Sequence, residues 1–176
     1  MLSTMQDGSL TTTRILRYGT GPHGGAEVTT WTDNGPRRTS YAELGRRVAR
    51  LAHGLRGLGV TGDQRVGTFM WNNTEHFEVY LAVPSMGAVL HTLNIRLPPD
   101  QVAYVADHGE DRVVVVDGSL IPLFQQVVGR LNTVRHVVVV GADPAELDAP
   151  NGIQVHAYED LLDGQPEEFE WPDVDE

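Results

Sequence analysis

The clearest periodic signal in the chain is an amphipathic helix that begins after Ser40. The segment Ser40-Tyr41-Ala42-Glu43 is a capping box, in which the serine hydroxyl and the glutamate carboxylate satisfy free backbone donors. Apolar residues then recur at spacings of four and three, on one helical face: Leu44, Val48, Leu51, Leu55 and Leu58. Gly59 supplies a left-handed C-cap. The opposite side is interpreted as a solvated face of arginines: Arg46, Arg47, Arg50 and Arg56.

Three apolar runs, at residues 66–70, 112–116 and 136–140, predict buried strands. The second and third are rich in valine without alternation, which is typical of central parallel strands buried on both faces. Helical patterns follow the three runs or lie between them, over about residues 74–90, 98–108 and 120–131. Strands separated by helices of this length predict an α/β fold with a mostly parallel, doubly wound sheet.

Local signals fix some of these boundaries. Asn73 or Thr74 caps the second helix, which we expect to run to about Leu90, with a kink at Pro84. A short extended piece is expected over residues 91–95. The next helix starts at Pro98-Pro99-Asp100, with proline in the first turn, where no backbone donor is needed.

The two ends of the chain differ from its middle. Residues 1–25 are polar and end in a Gly/Pro-rich stretch, with a short helix candidate at residues 10–18. Residues 26–32 alternate as a strand does, and the turn at 33–36 predicts a β-hairpin. A short helix is expected at 158–162. We therefore divide the chain into an N-terminal arm (1–25), an α/β subdomain (26–165) and an acidic linker (166–176).

The formal net charge of −11 belongs to one end of the chain. Residues 141–176 carry twelve acidic and no basic side chains, so the remainder holds 13 basic against 24 − 12 = 12 acidic residues, a balance of +1. Binding to nucleic acid needs a basic patch, so we expect no nucleic-acid partner. We interpret the acidic end as a solvated linker or tail.

Composition excludes several kinds of chemistry. The 176 residues include no cysteine, which excludes disulfides and cysteine-ligated zinc. All 13 basic residues are arginine, which excludes Schiff bases and a Walker-A lysine. The seven histidines contain no i, i+4 pair, which disfavours a metal site. With no secretory signal and no apolar run near the roughly 20 residues of a membrane helix, we expect a cytoplasmic protein.

Two strand–loop junctions hold candidate binding residues. Trp71 and Asn72 follow the first buried strand, where ligands of parallel sheets bind. Two interpretations stay open: a ligand-facing loop, or asparagine capping with tryptophan packing. Asn94 and Arg96 lie at a similar junction. Arg96 suits a phosphate, which it would meet bidentately, although a surface arginine is the simpler interpretation.

The order of several blocks resembles acyl-CoA synthetases of the adenylate-forming superfamily, which includes luciferases and peptide-synthetase adenylation domains. The matching blocks occur in the same order over nearly the whole chain. No single block is diagnostic, and the resemblance rests on the whole series. The segment Ser3-Thr4-Met5-Gln6-Asp7 is similar to the start of medium- and long-chain fatty acid–CoA ligases. The other matching blocks are 41–44, 55–60, 62–66, 71–73, 82–94, 96–98 and 106–113.

The resemblance implies a two-step ligase that uses ATP, Mg²⁺ and coenzyme A. A fatty acid carboxylate attacks ATP to give an acyl-adenylate and pyrophosphate, and the coenzyme A thiol then displaces AMP. It makes Asn94 and Arg96 candidates for contact with coenzyme A, and Trp71 and Asn72 candidates for a loop on the substrate side. No catalytic or metal-binding residue is assigned.

The family's phosphate loop and its lysines would follow an acidic, tryptophan-containing stretch like that at residues 170–173. We therefore expect this chain to be the N-terminal part of such a ligase, inactive alone and without a bound cofactor. A stand-alone binding module would instead need a complete phosphate-binding loop, which the sequence lacks.

A dimerisation role is compatible with the ligase, because some bacterial fatty acid–CoA ligases that resemble this chain dimerise through their N-terminal domains. The arm, residues 1–25, has too little apolar content to fold alone. It packs either across a two-fold axis on a second copy, as a homodimer contact, or on its own chain, or it stays disordered. We expect no transmembrane segment, and peripheral membrane contact stays open as an alternative.

The first testable prediction concerns activity. The 176-residue chain alone should show no fatty-acid-dependent exchange between ATP and pyrophosphate, because it has neither a lysine nor a phosphate loop. The assay follows labelled pyrophosphate entering ATP with and without fatty acid. Exchange that disappears when the fatty acid is withheld would contradict the expectation.

Overall fold

The structure is a computed structural model that describes residues 8–174. Its central element is a five-stranded parallel sheet. Its strands lie in the order β4-β3-β5-β6-β7. An antiparallel hairpin, β1 with β2, precedes this sheet in the chain. The strands are β1 (Glu27–Thr32), β2 (Gly35–Ser40), β3 (Arg65–Phe69), β4 (Val89–Thr92), β5 (Asp111–Asp117), β6 (His136–Val140) and β7 (Gln154–Ala157). The predicted fold class, including the hairpin, is confirmed.

Helices cover both faces of the sheet, because the central strands bury both sets of alternating side chains. One core holds Val113 and Val115 with α1, α2, α3 and α6, and the other holds Val114 and Val116 with α4 and α5. The helices are α1 (Thr12–Thr20), α2 (Tyr41–Gly57), α3 (Thr74–Ser85), α4 (Pro99–His108), α5 (Ile121–Val128) and α6 (Tyr158–Leu162). Short 3₁₀ turns lie at Gly118–Leu120 and Pro144–Glu146.

Helix α2 forms as its pattern predicts, with one difference at its start. The Ser40 hydroxyl accepts a hydrogen bond from the Glu43 amide at 3.2 Å, and the apolar stripe from Leu44 to Leu55 is fully buried. Gly59 has a φ of +87°, the left-handed conformation that favours glycine. The Glu43 carboxylate, however, binds the Arg46 guanidinium instead of closing the capping box.

Helix α3 is shorter than predicted. It ends at Ser85, and residues 89–92 form β4, so the expected helix end at Leu90 and the extended piece at 91–95 were both misplaced. Gly87 has a φ of +84°, and its amide donates to the Pro84 carbonyl, which closes the last turn. The apolar pattern continued past this turn because β4 packs on the same core.

The arginine side of α2 is only partly solvated, because it also binds the acidic end of the chain. Arg50 contacts the Glu167 carboxylate at 2.5 Å, and the His53 ring bonds to the Glu168 carbonyl at 2.8 Å. Phe169 and Trp171 pack against the core below. The acidic residues of this stretch stay exposed, while the ion pair of Glu167 and the packing of Phe169 and Trp171 hold it against α2, which the sequence did not predict.

Much of the N-terminal arm lies on its own chain. Helix α1 packs on α2 and α3, and Leu16 of α1 is buried. Ile15 and Tyr18 stay exposed on its outer side, so a contact with a second copy remains a prediction. The matching block at residues 3–7 and the last two linker residues, 175–176, lie outside the described residues. The division into arm, subdomain and linker also remains a prediction.

A buried charge cluster joins three helices on one face of the sheet. Glu78 of α3 is fully buried; its carboxylate accepts from Arg47 Nε of α2 at 2.6 Å and from the Tyr158 hydroxyl of α6 at 2.7 Å. Arg47 also donates to Glu159 at 2.7 and 2.9 Å. Burial raises the pKa of Glu78, and Arg47 counteracts that rise by favouring the charged carboxylate.

The contact between α6 and α2 also requires a glycine. A Cβ on Gly54 would lie 2.6 Å from Leu161 Cγ, so only glycine lets α6 approach α2 here.

The cluster yields a stability prediction. Arg47→Met should lower the free energy of unfolding by about 3–5 kcal/mol, because it leaves the Glu78 charge buried without its cation. Urea denaturation measures the change. Arg46→Met is the matched control: Arg46 pairs with exposed Glu43 and lies 4.0 Å from exposed Glu167, so its loss should cost less than about 1 kcal/mol. Equal losses in the two variants would contradict the assigned role of the cluster.

Among residues 8–174, no helix combines the length and the apolar character that crossing a bilayer requires.

Candidate functional site at the carboxyl edge of the sheet

The strand order creates a crevice between β3 and β5. The chain passes from β3 outward to β4 and then returns to the other side of β3 for β5. The loops that follow β3 and β5 therefore diverge at their carboxyl ends. In open α/β sheets this reversal point is where ligands bind.

The loop after β3 holds the first predicted pair. Trp71 is 48% exposed, and Asn72 is exposed beside it. Asn73 provides the helix cap, because its Oδ1 accepts from the His76 amide at 2.8 Å. Each interpretation of this loop therefore describes a different part of it. Asn73 caps the helix, while Trp71 and Asn72 face outward.

Asp117, which sequence reasoning missed, closes the crevice from the β5 side. Its Oδ2 accepts from Asn73 Nδ2 at 3.1 Å, and its Oδ1 accepts from the Ser119 hydroxyl at 2.7 Å. These bonds tie the loops after β3 and β5 together. The signal was present in the sequence as Asp117-Gly118-Ser119, a turn that directly follows a valine run.

His76 supports the β3 loop from beneath. The side chain is buried, with Nδ1 3.2 Å from the Trp71 carbonyl and Nε2 3.0 Å from the Thr68 hydroxyl. A carbonyl only accepts, so Nδ1 carries the proton and Nε2 accepts from Thr68. Burial lowers the pKa of His76, which keeps the ring neutral. Both nitrogens are engaged, so His76 positions the loop and is not placed to transfer a proton.

The second predicted pair follows β4, the neighbouring parallel strand. The Leu93 amide donates to the Thr68 carbonyl at 2.9 Å, which extends the pairing of β4 with β3 to the edge itself. Asn94 and Arg96 are exposed in the loop beyond, and Asn94 Oδ1 accepts from the Arg96 amide at 3.0 Å. Both predicted pairs therefore lie at the same edge, on adjacent strands.

This edge is equipped to bind and orient a ligand. It offers an exposed indole, two exposed side-chain amides and a guanidinium that contacts no acidic side chain within residues 8–174. A shallow depression of about 250 Å³ adjoins it, lined by Asn72, Asn73, His76, Phe77 and Tyr80. An arginine with amides suits a phosphate-bearing group, and an indole suits a planar or apolar one.

The described residues do not fit a magnesium site. Within residues 8–174, no group of three or more His, Asp or Glu side chains could hold a metal ion. Asp117, the carboxylate at the edge, is already occupied by Asn73 and Ser119. The donor set present fits the phosphates of coenzyme A or a nucleotide through Arg96, and coenzyme A would supply the thiol for thioester formation.

The fold is a parallel, doubly wound α/β sheet, and the candidate side chains lie at the carboxyl ends of its strands. The chain belongs to the AMP-binding enzyme family, whose match covers residues 21–175. The resemblance drawn from the sequence blocks is thereby confirmed.

Individual relatives are CoA ligases for different acids. The chain is 43% identical over 161 residues to a long-chain-fatty-acid–CoA ligase of Thermus thermophilus, covering 91% of this chain and 28% of the relative. It is 34% identical over 178 residues to a 3-methylmercaptopropionyl-CoA ligase of Ruegeria lacuscaerulensis, covering 100% of this chain and 33% of the relative. The chain thus spans about a third of the length of these curated relatives.

A solved structure supports the fold. The anthranilate CoA ligase AuaEII, in complex with anthranoyl-AMP, superposes with a TM-score of 0.79 at 22% identity. The alignment covers 98% of this chain and 31% of that one. At this identity the likeness establishes the shared architecture alone.

The site yields a prediction about Asn73, which both caps α3 and holds Asp117. Asn73→Ala should lower the free energy of unfolding by roughly 0.5–2 kcal/mol, the usual cost of losing an N-cap. Asn73→Ser is the matched control, because serine can cap α3 but cannot reach Asp117 in the same way. Urea denaturation should rank the alanine variant below the serine variant. The reverse order would show that the cap is not what Asn73 contributes.

Proposed function

We propose that this chain is part of an ATP-dependent acyl-CoA ligase whose substrates are fatty acids. The carboxylate oxygen of the acid attacks the α-phosphorus of ATP, and the bond to pyrophosphate breaks. The coenzyme A sulfur then attacks the acyl carbon, and AMP leaves. Family membership supports the ligase, and the 43% identity to a long-chain ligase supports the fatty acid.

One structural observation carries the local part of the proposal. Trp71 with Asn72, and Asn94 with Arg96, extend from adjacent parallel strands at one edge of the sheet. In the proposal Arg96 and Asn94 hold coenzyme A phosphates, while Trp71 and Asn72 line the substrate side. These residues bind and orient the reactants. Cytoplasmic location, a homodimer and peripheral membrane contact remain predictions.

The substrate class is tested on the whole protein encoded by the reading frame from which this chain comes. Acid-dependent exchange between ATP and pyrophosphate is measured with medium- and long-chain fatty acids, benzoate and 3-methylmercaptopropionate. The fatty acids should give the highest kcat/KM. A higher value for either of the other acids would overturn the fatty acid assignment, and no exchange with any acid would overturn the ligase.

The role of Arg96 is tested in the same enzyme. Arg96→Ala should raise the KM for coenzyme A about 10- to 100-fold, because a charge-assisted hydrogen bond contributes about 1.5–3 kcal/mol. The KM for the fatty acid should not change. Arg130→Ala removes another exposed arginine, after α5, and should leave both constants unaltered. An unchanged KM for coenzyme A in Arg96→Ala would contradict the assignment.

A further inference from the structure

Two histidines meet on the edge strand β7 and its neighbour β6, away from the candidate site. His136 begins β6, and His156 lies on the edge strand β7 opposite Val138. Residues 136 and 138 point to the same face of β6, so the two rings are diagonal neighbours on one face. His136 Nδ1 and His156 Nε2 form a hydrogen bond at 3.1 Å, in which one ring donates its N–H and the other accepts.

The distance between the two ring centroids is close to that expected for two imidazoles bound to one metal ion. With Zn–N bonds of about 2.0–2.1 Å and tetrahedral angles, the two nitrogens would lie about 3.3 Å apart and the ring centroids roughly 5.2 Å apart. The observed centroid separation is 5.3 Å, with 40° between the ring planes. A shared ion would therefore replace the hydrogen-bonded proton: each ring would carry its proton on the outer nitrogen, and rotation of the rings would direct both lone pairs at the ion.

The pair is also accessible to an incoming ion. Metal ions bind neutral imidazole, so each histidine must be deprotonated at its coordinating nitrogen. Both rings are half-buried rather than enclosed, so an ion has access from solvent.

We propose that His136 and His156 form a binding site for a divalent transition metal ion of the imidazole-preferring class, Zn²⁺ or Cu²⁺. Within residues 8–174 no third His, Asp or Glu completes a cluster with them, so water would fill the remaining positions. The ion would join β7 to β6, while the candidate site lies at the carboxyl edge near β3 and β4. The site would therefore be structural and separate from the candidate site at the carboxyl edge.

Zinc binding to the 176-residue chain tests the site. Isothermal titration calorimetry with ZnCl₂ at neutral pH should give one binding event per chain, and MgCl₂ should give none. Two-dimensional NMR of the seven histidine rings should show shifts confined to two of them. No heat with zinc in large excess, or shifts spread over the exposed histidines, would overturn the proposal.

Variants assign the two rings. His136→Asn and His156→Asn should each weaken zinc binding at least about tenfold, because even changes outside the ligand shell commonly cost 10- to 100-fold. His108→Asn, at an exposed position at the end of α4, should bind like the parent chain. Zinc should also raise the melting temperature of the parent chain and not of the two variants. Unchanged zinc affinity in either variant would overturn the assignment. If a variant fails to fold, the histidine NMR shifts of the parent chain decide whether these two rings bind zinc.

Discussion

The buried carboxylate of Glu78 is the constraint on which the helical layer around it depends. A fully buried charge is tolerated only with partners, and here the partners come from α2 and α6, 31 and 80 positions away in sequence. Arg47 extends the cluster to Glu159, 112 positions away. The helices α2, α3 and α6 can therefore pack in only those relative positions that keep Arg47 and Tyr158 against Glu78.

Fixing α3 also fixes the candidate site, because α3 begins at the site. Its N-cap, Asn73, bonds to Asp117 and so connects the loop after β3 to the loop after β5. His76, one turn into the helix, binds the Trp71 carbonyl and leaves the indole facing solvent. The rigid scaffold thus presents a few polar and aromatic groups at the switch point, as ligand-binding α/β sheets do.

The elements with strong local signals were predictable from sequence. The valine runs, the four–three spacing of α2 and the position of Asn73 all encode their structure within a few residues. The end of α3 was not predictable, because Val89 and Leu90 are apolar in either a helix or a strand. The docking of Glu167 on Arg50 joins positions 117 apart, which no local pattern reveals. The turn at Asp117 was readable locally, but its bond to Asn73 joins positions 44 apart and was not.

Amide hydrogen exchange of the whole enzyme tests most directly the claim that the carboxyl edge of this sheet binds ligand. Coenzyme A, or a non-hydrolysable acyl-adenylate analogue, should slow exchange in the three segments after β3, β4 and β5: 70–73, 94–97 and 117–119. The amino-end turns serve as the internal reference and should be unaffected: 61–64, 109–111 and 132–135. Protection at the amino-end turns, or none in the first three segments, would contradict this account.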